Sequence, residues 1–165
     1  MGSVITAELI AFLRGEFQLE WRGIHGAPHW ARVRWNGLHL VRANGADAQV
    51  VELFAFLYDV RREHDGQDPE HGSRAAMLVA ELDGRLFELS RQQRRLLETA
   101  CREHSDGGLD ADQTVQTCWD ADRLDLGRVG KRPDPARLAT PHARAPGLIA
   151  LAYARSVAGP WGRSS

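Results

Sequence analysis

Apolar residues along the chain recur at intervals of three and four far more often than at two, the spacing of helices that bury one face. Val4, Ile5, Leu9, Phe12 and Leu13 mark a first amphipathic helix near residues 3–18. A second spans about 28–42, with Trp30, Val33, Gly37, Leu40 and Val41 inward, and Asn44-Gly45 supplies its stop. Asp47 has the character of an N-cap for a third helix, through Val50, Val51, Phe54, Leu57 and Tyr58 to about Glu63. After the polar stretch His64-Asp65-Gly66-Gln67, Asp68-Pro69 sets a capping aspartate before a first-turn proline and predicts a helix to about Leu82. Asp83-Gly84 closes it. Ser90-Arg91-Gln92-Gln93 has capping-box spacing and opens a helix through Leu96, Leu97 and Ala100 to His104. A further helix near 111–126 carries Val115, Trp119 and Leu124. Residues 127–144, rich in Pro and Arg, read as loop, and a last helix over about 146–157 carries Leu148, Ile149, Leu151, Ala152 and Tyr153. No strand pattern or internal repeat stands out. The expectation is all-α: one domain of six to eight helices over residues 3–158, with 159–165 a flexible tail.

Composition narrows the partners. The chain has 165 residues, room for one ordinary core but not for two, and a charged fraction of 26% with 43% hydrophobic residues excludes a disordered or fibrous class. The longest apolar run, around Val50–Tyr58, is broken by Glu52 and falls far short of a bilayer span, so no membrane partner is expected. A net charge of −1 argues against a chain whose task is gripping a nucleic-acid backbone. Lys131 is the only lysine, and every other basic side chain, histidine aside, is an arginine, able to hold a phosphate in bidentate fashion. Cys101 and Cys118 are isolated and read as buried thiols in a reducing compartment. With Met1-Gly2-Ser3 unlike a secretion signal, the expected location is the cytoplasm. Oligomeric state stays open.

Histidines and acids cluster at element ends, beside the strongest apolar faces. Asp59 follows Leu57-Tyr58 at the end of the most hydrophobic helix, where a carboxylate is costly to bury without a facing cation or donor. Asp120, Asp122 and Asp125 stud a later helix, while His29, His71 and His104 lie at helix ends. Imidazole and carboxylate drawn from several helices suit a divalent metal such as Mn, Mg, Fe or Zn. His25, His39, His64 and His142 read as ordinary cap or surface residues.

The serial order of these residues resembles the HD superfamily of metal-dependent phosphohydrolases, whose pattern is His, an adjacent His-Asp pair, then a distant Asp, all on helices. His29-Trp30-Ala31-Arg32-Val33 looks like the first motif, the following valine favouring His29 over His25. Leu57-Tyr58-Asp59 is similar to the His-Asp pair. Glu70-His71-Gly72 and Cys101-Arg102-Glu103-His104 resemble two further histidine positions, and Trp119-Asp120-Ala121-Asp122-Arg123 the terminal aspartate motif, with Asp122 the ligand and Asp120 the fallback. The resemblance spans about residues 20–130. It implies metal ligands at His29, Asp59, Asp122, His71 and His104. It further implies Glu63 (with Asp59) as the catalytic group that orients water, and Arg62, Arg123 and Lys131 as cations for the phosphate, with Arg61 and Arg128 further candidates.

One departure stands out: the paired histidine is Tyr58, so the doublet reads Tyr-Asp. A phenol is neutral near pH 7, with an ordinary pKa of about 10, and is a weak ligand for Mg²⁺ or Mn²⁺. The leading expectation is a metal-dependent phosphohydrolase or phosphodiesterase that activates water toward a nucleotide or other small phosphoester. Two alternatives stay open: a degenerate binding or structural module without catalysis, and a di-iron oxygenase that uses His71 and His104 for the second iron.

Overall fold

A computed structural model of the chain describes residues 2–158; the expected tail, 159–165, lies outside the described residues. Seven α-helices make up the described fold: α1 (Ala7–Glu16), α2 (Ala27–Asn44), α3 (Ala48–Leu57), α4 (His71–Leu82), α5 (Arg91–Glu103), α6 (Gln113–Arg123) and α7 (Pro146–Ala158). Two 3₁₀ turns, Leu126–Val129 and Pro135–Arg137, lie in the stretch that reads as loop. Among the described residues there is no strand, only an isolated bridge between Asp83 and Phe87. The all-α expectation of six to eight helices holds. None of the described helices is long and apolar enough to cross a membrane.

Caps explain most of the boundaries. Thr6 accepts a hydrogen bond from the Leu9 amide, so α1 starts after Val4 and Ile5 rather than at residue 3. Asp47 accepts from the Gln49 and Val50 amides, and Ser90 and Gln93 complete a reciprocal capping box on α5. Two further expected boundaries move by a tertiary contact or a turn, and the helix expected near 111–126 is shorter, Gln113–Arg123. The third helix ends at Leu57 instead of Glu63, because the chain tightens into turns there: Val60 bonds back to Leu57 and Arg62 to Asp59. The fourth begins at His71 rather than Pro69. Asp68 does not cap it, since its carboxylate takes two 2.6 Å contacts from the Arg74 guanidinium and one of 2.8 Å from the Glu63 amide.

α3 lies at the centre, against α2, α5 and α6, and seven of its ten residues are buried. α4 packs on α5, and α7 closes one side against α2 and the 126–129 turn. Gly37 sets the crossing of α2 with α3, since a Cβ there would run into Val51. A smaller apolar cluster (Leu40, Leu124, Leu138, Ala143, Leu148, Ile149 and Ala152) ties α7 and the 127–144 segment to the main core. Asp120 anchors that segment. Its carboxylate accepts from the Ala139 amide at 2.8 Å and from the Thr140 amide and hydroxyl, both at 2.7 Å.

Candidate metal centre

The end of α3 and the starts of α2 and α4 meet the C-terminal ends of α5 and α6, and at this junction the buried histidines converge with Asp59 and Asp125. Asp59, in the turn that terminates α3, is 2% exposed and sits at the middle. His71 opens α4, and His104 caps the end of α5. Gly72 makes their meeting possible. A Cβ at Gly72 would lie 2.6 Å from the Cys101 carbonyl oxygen and 2.9 Å from that of Arg102, so the first turn of α4 rests directly on the last turn of α5.

The protonation pattern of the two imidazoles follows from their partners. His71 Nδ1 is hydrogen-bonded to the Asp68 carbonyl, and His104 Nδ1 lies 2.7 Å from the Cys101 carbonyl. A carbonyl only accepts, so each Nδ1 carries the hydrogen and each Nε2 is left as the free ring position. Those two Nε2 atoms face each other at 2.8 Å, with Asp59 Oδ1 at 3.3 Å from His71 and 3.8 Å from His104. Two lone pairs and a carboxylate oxygen turned on one point repel unless a cation lies between them, whether a proton or a metal ion. Burial and the neighbouring His71 hold His104 below the ordinary histidine value, against the fields of Asp59 and Asp122, which favours the neutral, ligand-competent ring.

Asp59, His71 and His104 could thus hold a metal ion: their ligand atoms all lie within 4.8 Å of one another, and all three residues are buried. Two imidazoles and a carboxylate are a donor set for Zn, Fe or Mn. Ligand atoms about 2.0–2.1 Å from a tetrahedral ion stand ~3.3 Å apart, so the two nitrogens need to part by only ~0.5 Å to admit one. The residues fit the group.

The other half of the junction is arranged differently. His29, in the first turn of α2, donates from Nδ1 to Asp125 Oδ2 at 2.6 Å, and its Nε2 meets the Tyr58 hydroxyl. Tyr58 in turn donates to Asp122 Oδ1 at 2.6 Å. Since the one phenolic proton goes to the carboxylate, the bond to His29 needs a hydrogen on Nε2, and the imidazole is then the charged form. Burial and the Arg128 charge oppose this, but hydrogen bonds to Asp122, Asp125 and Asp59 prevail and raise His29 to about 9. Burial, with the charges of Asp122 and Asp59, pushes the Tyr58 phenol well above its ordinary value, so it stays neutral. Burial works against ionising Asp59 too, yet the close imidazoles of His25, His29 and His71 hold its carboxyl well below the usual range. Asp122 is likewise low, where His29 and Arg128 outweigh the cost of burial.

Of the residues singled out in the sequence, His29, Tyr58, Asp59, His71, His104 and Asp122 come together at this junction. Arg62 reaches it as well, with Nε 3.1 Å from Asp59 Oδ1, while its other donor serves the His64 and Gly66 carbonyls. Glu63 does not: its side chain is 51% exposed and its nearest cation is Arg74 at 4.0 Å. Asp120 faces Thr140, away from the cluster, which leaves Asp122 as the acid of that motif. The Arg123 guanidinium bonds the Gly108 and Arg137 carbonyls, and with Lys131 it lines a separate cavity. Arg61 pairs with Glu16 and Glu81.

His25 and Asp125 have no role in the sequence reading, and Arg128, a further candidate cation there, also takes part. His25, placed with surface histidines, is buried and contacts Asp59 Oδ2 at 3.2 Å and the Asp65 carbonyl at 3.0 Å. Asp125 is the acid behind His29, and Arg32 holds it by contacts of 2.7 and 3.1 Å. Arg128 lies 3.9 Å from Asp122. The i,i+3 spacing of Asp122 and Asp125 and the i,i+4 spacing of His25 and His29 are the available signals.

Comparison with protein-family models, with curated proteins and with solved structures finds no match to this chain.

Proposed function

We propose that the chain is an HD-type metal-dependent hydrolase of a small phosphoester, with Asp59, His71 and His104 holding one divalent ion. The observation that carries the reading is the convergence of six motif residues, drawn from five helices and up to 93 positions apart (His29 to Asp122), on one junction around the buried Asp59, in one half of which two imidazole nitrogens face each other. A buried divalent ion at such a point supplies Lewis acidity, lowering the pKa of water toward neutrality and offsetting charge on a phosphoryl oxygen.

The protein groups divide the remaining work. Asp59 joins the two halves of the site, with Oδ1 toward His71 and His104 and Oδ2 toward His25 and His29. Arg62 fixes its carboxylate from one side. His29 holds a proton that the Tyr58 hydroxyl relays to Asp122. Asp122 keeps 17% of its side-chain surface, more than the other acids of the cluster, and is where that relay meets solvent and the leaving group. Tyr58 thus replaces a metal position with a proton path, and a single-ion site is the outcome.

A second reading has its own observation: the Tyr58 hydroxyl satisfies His29 and Asp122 without any ion, as in a degenerate binding module. A di-iron oxygenase is disfavoured by the same contact, which occupies the second ligand set. The experiment is release of phosphate from nucleoside monophosphates and p-nitrophenyl phosphate by protein supplied with Mn²⁺, Mg²⁺, Fe²⁺ or Zn²⁺. Turnover that disappears in Asp59→Asn and in His71→Ala supports the hydrolase. Bound metal without turnover supports the binding module.

A further inference from the structure

The cations at the metal cluster are all engaged: Arg62 with Asp59, Arg32 with Asp125, and Arg128 with the Ile24 and Asp125 carbonyls. Among the described residues, a different group of cations faces no carboxylate at ion-pair distance. Between the end of α6 and the 126–138 segment lies a cavity of about 650 Å³, within the usual size range for small-molecule sites. Arg123, Lys131, Arg132 and Arg137 line it, with Asp134 as the one acid and Leu138 among its apolar walls. Among the described residues none of these four cations forms an ion pair. Arg123 is half-buried with only the Gly108 and Arg137 carbonyls and the Trp119 ring as partners; Arg132 lies over the Tyr153 ring. One Asp134 oxygen already accepts from the Ala136 amide.

Four cations against one acid leave a surplus of three positive charges at one concave point of a chain whose net charge is −1. Such a surplus is repulsive within the protein and is relieved by an anion of matching charge. Three of the four are arginines, whose planar forks fit phosphate oxygens two at a time.

We propose that this cavity binds a small molecule bearing a diphosphate group, at a site separate from the metal cluster. Arg123 supplies the buried anchor, and Lys131 and Arg137 close on the anion from the exposed rim. The proposal does not depend on the metal reading.

The test is isothermal titration of inorganic pyrophosphate into metal-stripped protein with EDTA, at two salt concentrations. Saturable binding that weakens with salt is expected, and it falls about tenfold or more in the Lys131→Ala, Arg137→Ala double variant. Both side chains are exposed, and an unchanged circular dichroism melt shows that the variant is folded. Asp59→Asn, which removes a metal ligand, binds pyrophosphate as the parent does, so failure here and failure of the metal centre are separate results. No saturation below about 1 mM, an unchanged affinity in the double variant, or equal binding of citrate overturns the proposal.

Discussion

Gly72→Ala tests whether the approach of α4 to α5 is what assembles the site. Two opposed effects set its magnitude. Alanine favours a helix interior over glycine by about 0.8–1 kcal/mol, somewhat less in a first turn. Against this, the new Cβ would stand 2.6 and 2.9 Å from two backbone carbonyl oxygens of α5, which no side-chain rotation can relieve. Overpacking of this kind costs roughly 1–3 kcal/mol. The clash wins, and a net loss on the order of 1–2 kcal/mol is expected. Gly147 provides a matched control: like Gly72 it is the second residue of its helix, but a Cβ there meets nothing within 4 Å. Gly147→Ala therefore reports propensity alone and is expected to be neutral or slightly stabilising. Urea and thermal melts followed at 222 nm measure both, and a gap of about 1–3 kcal/mol between them, some 2–4 °C in Tm per kcal/mol, is expected. Gly72→Ala is also expected to weaken metal binding, by parting His71 from His104. Equal stabilisation by both substitutions, with metal binding intact, would refute the reasoning.

Further outcomes follow from other contacts. Asp120→Ala strands the Ala139 amide and the Thr140 amide and hydroxyl; a loss of about 2–4 kcal/mol in a urea melt is expected, with metal content unchanged because this carboxylate faces away from the cluster. Tyr58→His removes the phenol that ties His29 to Asp122 and adds an imidazole, so metal content measured by elemental analysis is expected to rise from about one to about two ions per chain. For the metal-free protein, His29 gives a pH signature. Its folded value of about 9 lies above its ordinary 6.5, so its contribution to stability is complete below 6.5 and is lost as pH rises toward and through 9. Denaturation midpoints in EDTA are expected to fall across that window, and much less so in His29→Gln.

Helices were readable in the chain from their 3.6-residue apolar stripes, and four of them also have a side-chain cap at the start. Thr6, Asp47, Ser90 and Asp112 all accept hydrogen bonds from first-turn amides. Boundaries failed where a tertiary partner competed for the signal. Asp68 has the character of a cap, but Arg74 takes it, and α4 starts two residues later than the proline suggests. The 127–144 segment has no periodicity, and its place is set by Asp120 and by Leu138 and Ala143 entering the second apolar cluster.

The site was legible to the extent that motif order marks chemistry. His29, Asp59, His71, His104 and Asp122 do meet, because each stands at a helix end and those ends converge. Adjacency in sequence was the poor guide. Glu63 and Arg123 each neighbour a cluster residue, yet Glu63 faces solvent and Arg123 a different cavity, since one step along a helix or turn rotates a side chain by roughly 100°. His25 was hidden for the converse reason: it lies before α2, in a turn whose course no periodicity reveals, and the chain reverses there to bring it onto Asp59.

The most direct measurement of the central claim is metal content per chain, by elemental analysis, of protein purified without immobilised-metal resin, beside Asp59→Asn and His71→Ala. About one equivalent of manganese, iron or zinc retained through desalting, and lost in both variants, is the expected result. Less than about a tenth of an equivalent, unchanged after incubation with Mn²⁺, Fe²⁺ and Zn²⁺, would contradict a metal centre at Asp59, His71 and His104 and leave the two imidazoles sharing a proton.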